Sequence, residues 1–421
     1  MNVLVVGGGG REHAIVEKLH QSSRNPRILI APGNAGTAAI AENVPIQPTA
    51  IDELLRLARE REVGLTIVGP EAPLCAGIVD EFQRAGLRIF GPTAAAARIE
   101  GDKAYAKKLM HEANVPTAEG RSFARFSDAK AYIATRDSPQ VVKAAGLAAG
   151  KGVIVCDDPA RAIVEAEEIM IGGKFGEAGR CLVVEEKLQG QEVSILALVD
   201  GCTIYVLESS QDHKPIGEGD TGPNTGGMGA YSPAPAATAE VLDAVQSQII
   251  VPIVDALRRD DIPYRGVLYC GLMLTLAGPK VLEFNCRFGD PEAQVVLTRL
   301  RSDFLEVIIA CVEGELDHVS LDWDERPAVC VVMASEGYPG SYHKGKVITG
   351  LDAAAALPDV TIHHAGTRMV DEGIVTSGGR VLGVTALGDT IAAARHRVHE
   401  AIDKIHFEGA YHRRDIAHRA L

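Results

Sequence analysis

The sequence lacks the patterns that mark metal–thiolate sites, disulfide scaffolds and membrane spans. Its eight cysteines are scattered, with no Cys-x-x-Cys pair and no Cys/His cluster, which argues against a structural zinc site. A chain of 421 residues can bury a core without disulfides, so these cysteines are expected to be reduced. The longest uncharged stretch, Thr221 to Ala239, contains three prolines and four glycines and is not expected to form a spanning helix.

Clustered positive charge is also missing. The chain has 42 Lys and Arg against 56 Asp and Glu, a net charge of −14, and no basic run is longer than a pair such as Arg413–Arg414. Binding to a nucleic-acid backbone needs clustered Lys and Arg, so no nucleic-acid partner is expected. No signal peptide is expected, because the strand-like Val3–Val6 opens the given sequence without a basic or apolar leader pattern. We therefore expect a cytoplasmic protein without a membrane partner, either a monomer or a weak homodimer.

The first 100 residues alternate short apolar runs with helical periods. This alternation predicts an α/β fold that begins with a doubly wound parallel sheet over residues 1–101. The predicted strands are Val3–Val6, Arg27–Ala31, Leu65–Val68 and Leu87–Phe90. Ligands of such sheets bind beyond the carboxyl ends of the strands. Those ends are Gly7–His13, Pro32–Thr37 and Gly69–Leu74.

Beyond Gly91-Pro92 the pattern changes to one of strands and turns. We predict a central α+β domain over residues 102–326 and a small C-terminal α/β domain over residues 327–421. A helix is expected from Ala239 to about Leu257, and a strand pair turned at Gly278-Pro279. The stretch Ser209–Pro235 shows no periodicity, and a loop of that length is uncommon unless it is functional.

The glycine run Gly7–Gly10 follows a strand and opens a helix, a place where backbone N–H groups can bind an anion. A dinucleotide fingerprint fails, because Glu12 or His13 stands where the third glycine belongs and no acidic residue follows the second strand. A sugar phosphate or mononucleotide held by Gly8, Gly10 and Arg11 fits better. The alternative is a tight turn needed only for helix–sheet packing.

A second glycine loop, Lys143–Gly152, lies between two predicted strands. It is not a Walker loop, because Ala145 and Gly152 replace the required residues and a strand follows. A flap of this kind can fold over phosphates, with its backbone as donor and its lysines as point charges. The alternative is a surface hairpin with solvated lysines. The predicted phosphate-binding residues are Lys143, Gly146, Gly150 and Lys151.

Two further segments complete a possible nucleotide site. The strand end at Glu185, Glu186 and Leu188 can bind an adenine edge, and Glu192 can hold ribose hydroxyls. On a later strand, Glu283 and Asn285 share one face and suit Mg²⁺ bound together with phosphates. On a strand, a Glu-x-Asn pair is also often merely solvated.

Arg287 follows this pair as a fork for a carboxylate or phosphate. Its alternative role is a structural ion pair with Asp290 or Glu292.

These segments together resemble one family. The motifs Lys143–Gly152, Gln211–Lys214, Gly217–Met228 and Glu283–Glu292 are similar to those of phosphoribosylamine–glycine ligases (glycinamide ribonucleotide synthetases), which are ATP-grasp enzymes. The resemblance covers nearly the whole chain and implies that the central domain has two lobes, one of them a mobile flap lobe at about 120–188. One departure is Ala145, where the family usually has Asp. This difference affects only a contact that the Asp side chain would make.

The resemblance implies an ATP-dependent ligase of purine biosynthesis that joins glycine to 5-phosphoribosylamine through glycyl phosphate. It implies ATP and Mg²⁺ or Mn²⁺ as cofactors, with Lys103 as a second phosphate-binding lysine and Lys143, Lys103 and Arg287 as catalytic residues. His213 could deprotonate the amine or serve only as a hydrogen-bonding group. The substrate-binding residues it implies are Gly8, Gly10, Arg11, Asp212, His213, Lys214, Asp220, Asn224, Thr225, Gly226, Arg287, Gly289 and Asp290.

Three other functions are weighed against this one. Another carboxylate–amine ligase or a biotin-dependent carboxylase would share the nucleotide site, but the long glycine-rich loop argues against them. A nicotinamide-dependent oxidoreductase conflicts with the failed fingerprint. A nucleotide sensor without turnover would not need Glu283, Asn285 and Arg287 together.

Overall fold

The computed structural model describes residues 1–148 and 151–421. The strands are β1 Asn2–Gly7, β2 Arg27–Pro32, β3 Glu42–Asn43, β4 Val63–Val68, β5 Ile89–Phe90, β6 Gly120–Phe123, β7 Gln140–Ala144, β8 Val153–Cys156, β9 Leu182–Glu186, β10 Gln191–Asp200, β11 Ile204–Val206, β12 Gln211–Asp212, β13 Pro215–Gly217, β14 Thr221–Asn224, β15 Gly229–Ser232, β16 Arg265–Thr275, β17 Gly278–Asn285, β18 Ala328–Ser335, β19 Val360–His364, β20 Thr367–Val370, β21 Gly373–Thr376, β22 Arg380–Leu387 and β23 Ala410–Tyr411. The helices are α1 Gly10–His20, α2 Ile51–Glu60, α3 Glu71–Cys75, α4 Ile78–Arg84, α5 Ala94–Gly101, α6 Lys103–Glu112, α7 Phe126–Ile133, α8 Pro159–Met170, α9 Ala239–Val245, α10 Val251–Arg259, α11 Glu292–Arg299, α12 Phe304–Glu313, α13 Leu351–Ala355 and α14 Ile391–Ile402.

The N-terminal residues form a five-stranded, wholly parallel sheet in the order β3-β2-β1-β4-β5. Val5 of the central strand pairs with Ile30 on one side and Ile67 on the other. Val3–Val6 is completely buried, because helices cover both faces of the sheet. The predicted doubly wound α/β sheet is therefore confirmed.

Two antiparallel four-stranded sheets form the lobes that enclose the site. The first, β6-β9-β7-β8, carries the flap, and the second has the order β11-β10-β16-β17. The β16–β17 turn falls at Leu276-Ala277 instead of the predicted Gly278-Pro279, because Gly278 already pairs with Thr275. The predicted helix from Ala239 is present as α9 and α10, joined by a π-helical turn at Gln246–Ile250.

The stretch Ser209–Pro235 is more regular than its sequence suggests. It contains the four short strands β12 to β15 rather than a loop without structure. β15 pairs with β18 from beyond residue 327, and the resulting sheet runs β12-β15-β18-β22-β19, with β23 also on β18. Central and C-terminal residues therefore share one sheet. None of the helices in the described ranges combines the length and apolarity that crossing a bilayer requires.

Buried histidines join the N-terminal unit to the C-terminal one. The backbone N–H of His364 on β19 donates to Nδ1 of His13 on α1 over 2.7 Å. Nδ1 of His364 lies 3.1 Å from the Thr367 hydroxyl. Burial lowers the pKa of His13 well below its ordinary value, and burial lowers that of His364 to about 4. Both rings are therefore neutral at neutral pH.

We expect this junction to make the fold sensitive to mild acid. Below pH 6.5 the unfolded chain protonates its histidines, whereas folded His364 stays neutral down to about pH 4. The free energy of unfolding should therefore fall as the pH falls through this window, by about 2 kcal/mol from His364 alone between pH 7 and pH 5. Urea unfolding of wild type and His364→Asn at both pH values measures the difference.

The same substitution at the exposed His318 is the control. His364→Asn should lose part of the pH dependence that His318→Asn retains. Equal pH dependence in wild type and both variants would contradict the assignment.

Candidate active site

A cavity of about 580 Å³ lies between the two antiparallel lobes and the N-terminal sheet. It collects most of the side chains that the sequence singled out. Those that line it are Arg11, Lys103, Lys143, Glu185, Glu186, Leu188, Glu192, Asp212, Lys214, Asn224, Thr225, Gly226, Glu283, Asn285, Arg287 and Asp290. They come from all parts of the first 290 residues, so the fold gathers them at one place.

The other predicted residues lie outside this lining. The backbone carbonyl of Gly146 accepts a hydrogen bond from Lys103 Nζ over 3.3 Å, and Lys151 Nζ donates to the Pro339 carbonyl over 3.0 Å. Gly289 packs against the Glu292 side chain. Gly150 lies outside the described residues. Gly8, Gly10, His213 and Asp220 are considered below.

At the start of α1, the glycine run already binds a carboxylate of the chain itself, that of Glu12. The Gly9 N–H donates to Glu12 Oε2 over 2.6 Å, at the helix terminus where a phosphate could bind. A Cβ on Gly8 would lie 2.6 Å from the Gly33 carbonyl oxygen, so that glycine serves a close backbone approach. Of the three predicted residues, Arg11 alone reaches the cavity, held by Glu12 and the Phe288 carbonyl. The role of Gly8 and Gly10 in binding a phosphate stays a prediction.

At the flap end of the cavity, one buried carboxylate holds two lysines. Glu185 Oε2 lies 2.5 Å from Lys143 Nζ, and its Oε1 lies 2.6 Å from Lys107 Nζ. Burial alone would raise the pKa of Glu185, but the two ammonium groups lower it below its ordinary value. Sequence reasoning missed Lys107, although its spacing of four from Lys103 puts both on one face of α6.

We expect Lys107 to matter for nucleotide binding although it is itself a buried structural cation. In Lys107→Met, the Glu185 carboxylate keeps Lys143 as its one cationic partner. Lys143 is then bound more tightly to Glu185 and is less able to bind a phosphate. The KM for ATP should rise about tenfold, since a lost charge-assisted hydrogen bond is worth about 1.5 kcal/mol or more. Steady-state kinetics with varied ATP measure it.

Lys108→Met, on the exposed side of the same helix, is the matched control. It should leave the KM for ATP unchanged. Similar values in the two variants would contradict a role for the Lys107–Glu185–Lys143 triad.

The opposite wall of the cavity offers oxygen ligands on strand β17. Glu283 and Asn285 are two residues apart and therefore project from the same face. The closest cation to the Glu283 carboxylate is Lys214 Nζ at 3.9 Å, beyond hydrogen-bonding distance. Within the described ranges, neither side chain makes a hydrogen bond. Two free hard oxygen donors facing a cavity fit a small divalent cation such as Mg²⁺.

Lys214 lies at the centre of three carboxylates. Its Nζ is 3.1 Å from Glu192, 3.8 Å from Asp212 and 3.9 Å from Glu283. Burial would lower the pKa of Lys214, but Asp212 and Glu192 raise it well above its ordinary value. Burial raises the pKa of Asp212 to about 7, although Lys214 opposes the rise. This lysine therefore stays charged and compensates the acidic wall.

Arg287 is held by two carboxylates of the N-terminal helices. Its Nη2 lies 2.8 Å from Glu100 Oε1, and its Nε lies 3.4 Å from Glu71 Oε2. The alternative pairing with Asp290 or Glu292 is therefore wrong: Asp290 pairs with Arg380, and Glu292 accepts from Tyr269. The buried Nε has no hydrogen-bond acceptor among the described residues. Its contact with Glu71 at 3.4 Å is therefore an ion pair without hydrogen-bond geometry, and the Arg287 side chain as a whole lines the cavity.

His213 and Asp220 belong to the stretch Ser209–Pro235, hereafter the central segment, and lie on the side of it away from the cavity. The fully buried His213 accepts the Ala417 N–H at Nε2 over 3.0 Å, so its neutral form carries the proton on Nδ1. That Nδ1 lies 3.6 Å from Asp220, which also pairs with Arg413 and Arg419. Strand alternation explains the arrangement, because Asp212 and Lys214 face the cavity and His213 faces away.

Comparisons with known proteins identify the same family along nearly the whole chain. Models of the phosphoribosylglycinamide synthetase family match with their N domain at residues 1–100, their ATP-grasp (A) domain at 101–293 and their C domain at 328–419. The phosphoribosylamine–glycine ligase of Rhodopirellula baltica is 53% identical over 427 residues, which covers 100% of this chain and 98% of that protein. That of Allochromatium vinosum is 51% identical and covers 100% and 99%.

Solved structures show the same relationship. The crystal structure of phosphoribosylamine–glycine ligase from Thermotoga maritima superposes with a TM-score of 0.85 at 33% identity, covering 99% of this chain and 100% of that one. The biotin carboxylase domain of the 2-oxoglutarate carboxylase from Hydrogenobacter thermophilus shares the fold, with a TM-score of 0.74 at 16% identity, covering 98% and 91%. The chain therefore belongs to the phosphoribosylglycinamide synthetase family.

Proposed function

We propose that this protein is the ATP-dependent ligase that joins glycine to 5-phosphoribosylamine, giving glycinamide ribonucleotide, ADP and phosphate in purine biosynthesis. The observation that carries the proposal is the cavity in which Lys103, Lys143 and Arg287 face the oxygen donors Glu283 and Asn285. Relatives named for this activity are 53% and 51% identical to the chain over its whole length.

The reaction needs two group transfers. A glycine carboxylate oxygen attacks the γ-phosphorus of ATP, the bond to the bridging oxygen breaks, and ADP leaves. The amine of phosphoribosylamine then attacks the carbonyl carbon of glycyl phosphate, phosphate leaves, and the nitrogen loses a proton. Phosphoryl transfer depends mainly on positioning and on neutralising charge. The cationic side chains of the cavity match that demand.

One end of the cavity suits the nucleotide. Lys103 and Lys143 are placed to bind the phosphates, with the strand end at Glu185, Glu186 and Leu188 for adenine and Glu192 for ribose. Closure of the flap would then keep water from the acyl phosphate. The flap residues Gly146, Gly150 and Lys151 belong to the same proposal.

The other end of the cavity, here called the acceptor end, suits glycine and phosphoribosylamine. It is lined by Arg287 and by residues of the central segment. The guanidinium of Arg287, which lines the cavity, can orient the glycine carboxylate and stabilise charge as it is phosphorylated. Arg11, in the first turn of α1, lines the cavity and can bind the sugar phosphate. Asp290, Asn224, Thr225 and Gly226 line it as well. His213 is better placed to hold the central segment than to take a proton, because its ring does not line the cavity.

The metal site is part of the proposal. Glu283 and Asn285 would hold Mg²⁺, which as a Lewis acid would neutralise charge on the ATP phosphates. Mn²⁺ has the same preference for oxygen ligands and stays an alternative. The domain limits 1–101, 102–326 and 327–421, the cytoplasmic location and a monomeric or weakly dimeric state stay predictions.

One assay separates the possible functions. ADP release is measured with ATP and Mg²⁺, first alone, then with glycine, then with glycine and phosphoribosylamine. The proposal expects rapid release with both acceptors present. Release driven by another carboxylate, or ATP binding without release under any condition, would contradict it in favour of a different ligase or a sensor.

A further inference from the structure

Two side chains of the C-terminal unit that the sequence did not single out, Arg380 and Tyr338, contact residues that line the cavity. Arg380 opens strand β22 and lines the cavity, and Tyr338 follows strand β18, which pairs with β22. The Tyr338 ring packs on the backbone of Gly379, where any side chain would collide with it. The two residues are therefore held next to each other. Their polar groups both point toward the central segment.

Together they bind both polar groups of one glycine. The N–H of Gly226 donates to the Tyr338 hydroxyl over 3.0 Å, and the carbonyl of Gly226 accepts from Arg380 Nη1 over 2.7 Å. A Cβ on Gly226 would lie 3.0 Å from the Arg380 guanidinium carbon, so the guanidinium packs directly on this glycine. No other residue type would allow this approach without a shift.

Arg380 also fixes the opposite side of the same wall. Its Nη1 donates to the Asp290 carbonyl over 2.8 Å, and its Nη2 lies 3.1 Å from the Asp290 carboxylate. One guanidinium thus connects Gly226 with Asp290, two residues at the acceptor end of the cavity. The adenine end at Glu185–Leu188 belongs to other strands and makes no hydrogen bond to this pair within the described residues.

We propose that Tyr338 and Arg380 are positioning residues that hold the Gly226 backbone and Asp290 in place for the acceptor substrates, and not for ATP. The proposal rests on the ligase function proposed above. It assigns the C-terminal unit a direct part in shaping the acceptor end of the cavity. It also gives Gly226 a packing role at a place where the backbone adopts no left-handed conformation.

The test uses Tyr338→Phe in the full-length protein, because this change removes the hydroxyl alone. The KM values for glycine or phosphoribosylamine should rise about five- to tenfold, with the KM for ATP within about twofold of wild type. Amide hydrogen exchange in the peptide that contains Gly226 should quicken about tenfold, as expected for the loss of one hydrogen bond. Arg380→Lys keeps a positive charge near Asp290 but loses the planar guanidinium. It should also raise the KM values for the acceptor substrates and leave the KM for ATP unchanged.

Tyr342→Phe is the matched control, since the Tyr342 hydroxyl makes no hydrogen bond to any described residue while its ring packs near Tyr338 at 6.4 Å between centroids. The proposal is overturned if Tyr338→Phe matches this control in either readout, or if the KM for ATP rises as much as those of the acceptors. The exchange measurement needs no turnover. A wild-type protein without ligase activity would therefore defeat the proposed function while the exchange still reports on the contact.

Discussion

Glu283→Gln is expected to lower kcat by about 10³-fold, because it removes a charged ligand from the proposed cation site and with it a Lewis-acid contribution of several kcal/mol. The carboxylate also faces Lys214, and the charges of Lys214, Lys103 and Lys143 lower its pKa although burial opposes them. Glutamine keeps the shape of the side chain but supplies no charge. Kinetics over a range of Mg²⁺ concentrations measure the effect.

Thermal unfolding separates this loss from a folding defect. The melting temperature should stay within a few degrees of wild type, because the side chain borders a cavity and makes no hydrogen bond within the described ranges. Glu240→Gln, a neutralisation on the exposed face of α9, should leave kcat unchanged. Near-normal turnover of Glu283→Gln at saturating Mg²⁺ would refute the metal role.

Arg287→Lys is expected to lower kcat about 100-fold while the KM for ATP changes less than about twofold. Lysine keeps a positive charge for the buried Glu100, so the ion pair that packs this region is preserved. It cannot reproduce the planar fork, whose donors here are directed to Glu100, the Phe288 carbonyl and Glu71. The acyl-transfer chemistry should therefore suffer more than nucleotide binding.

Two measurements check this division. Steady-state kinetics give kcat and both acceptor KM values, and ATP binding is followed separately by isothermal calorimetry. Arg258→Lys, on an exposed turn of α10, controls for the change of residue type. Equal and small losses in turnover and ATP affinity would assign Arg287 a structural role.

The sequence predicted those strands and helices whose residue pattern is visible within the element itself. Strands such as β1 are continuous apolar runs because both faces of their sheet are covered, and such runs are visible without any partner. The strands of the central segment are two to four residues long and rich in glycine, too short for a period of two to emerge. β15 pairs with β18, a hundred residues later, and β12 pairs with β15, whereas β13 and β14 pair only with each other.

For the site, too, the sequence predicted what depends on neighbouring residues and missed what depends on distant ones. Glu283 and Asn285 were found from their spacing on one strand, and strand alternation could also have shown that His213 faces away from Asp212 and Lys214. The partners of Arg287 and of Gly226 come from segments more than 100 residues away in sequence. Nothing in the local pattern names Glu100 or Tyr338, because only the folded chain brings them near.

The sheet that joins β15 to β18 bears on how the protein could be divided. A polypeptide ending at residue 326 would leave the outer edge of β15 without a hydrogen-bonding neighbour, immediately after the glycine segment of the cavity. Such an open edge pairs readily with another chain and promotes aggregation. The first three-quarters of the gene should therefore yield soluble enzyme only when the remaining quarter is co-expressed to complete the sheet by fragment complementation.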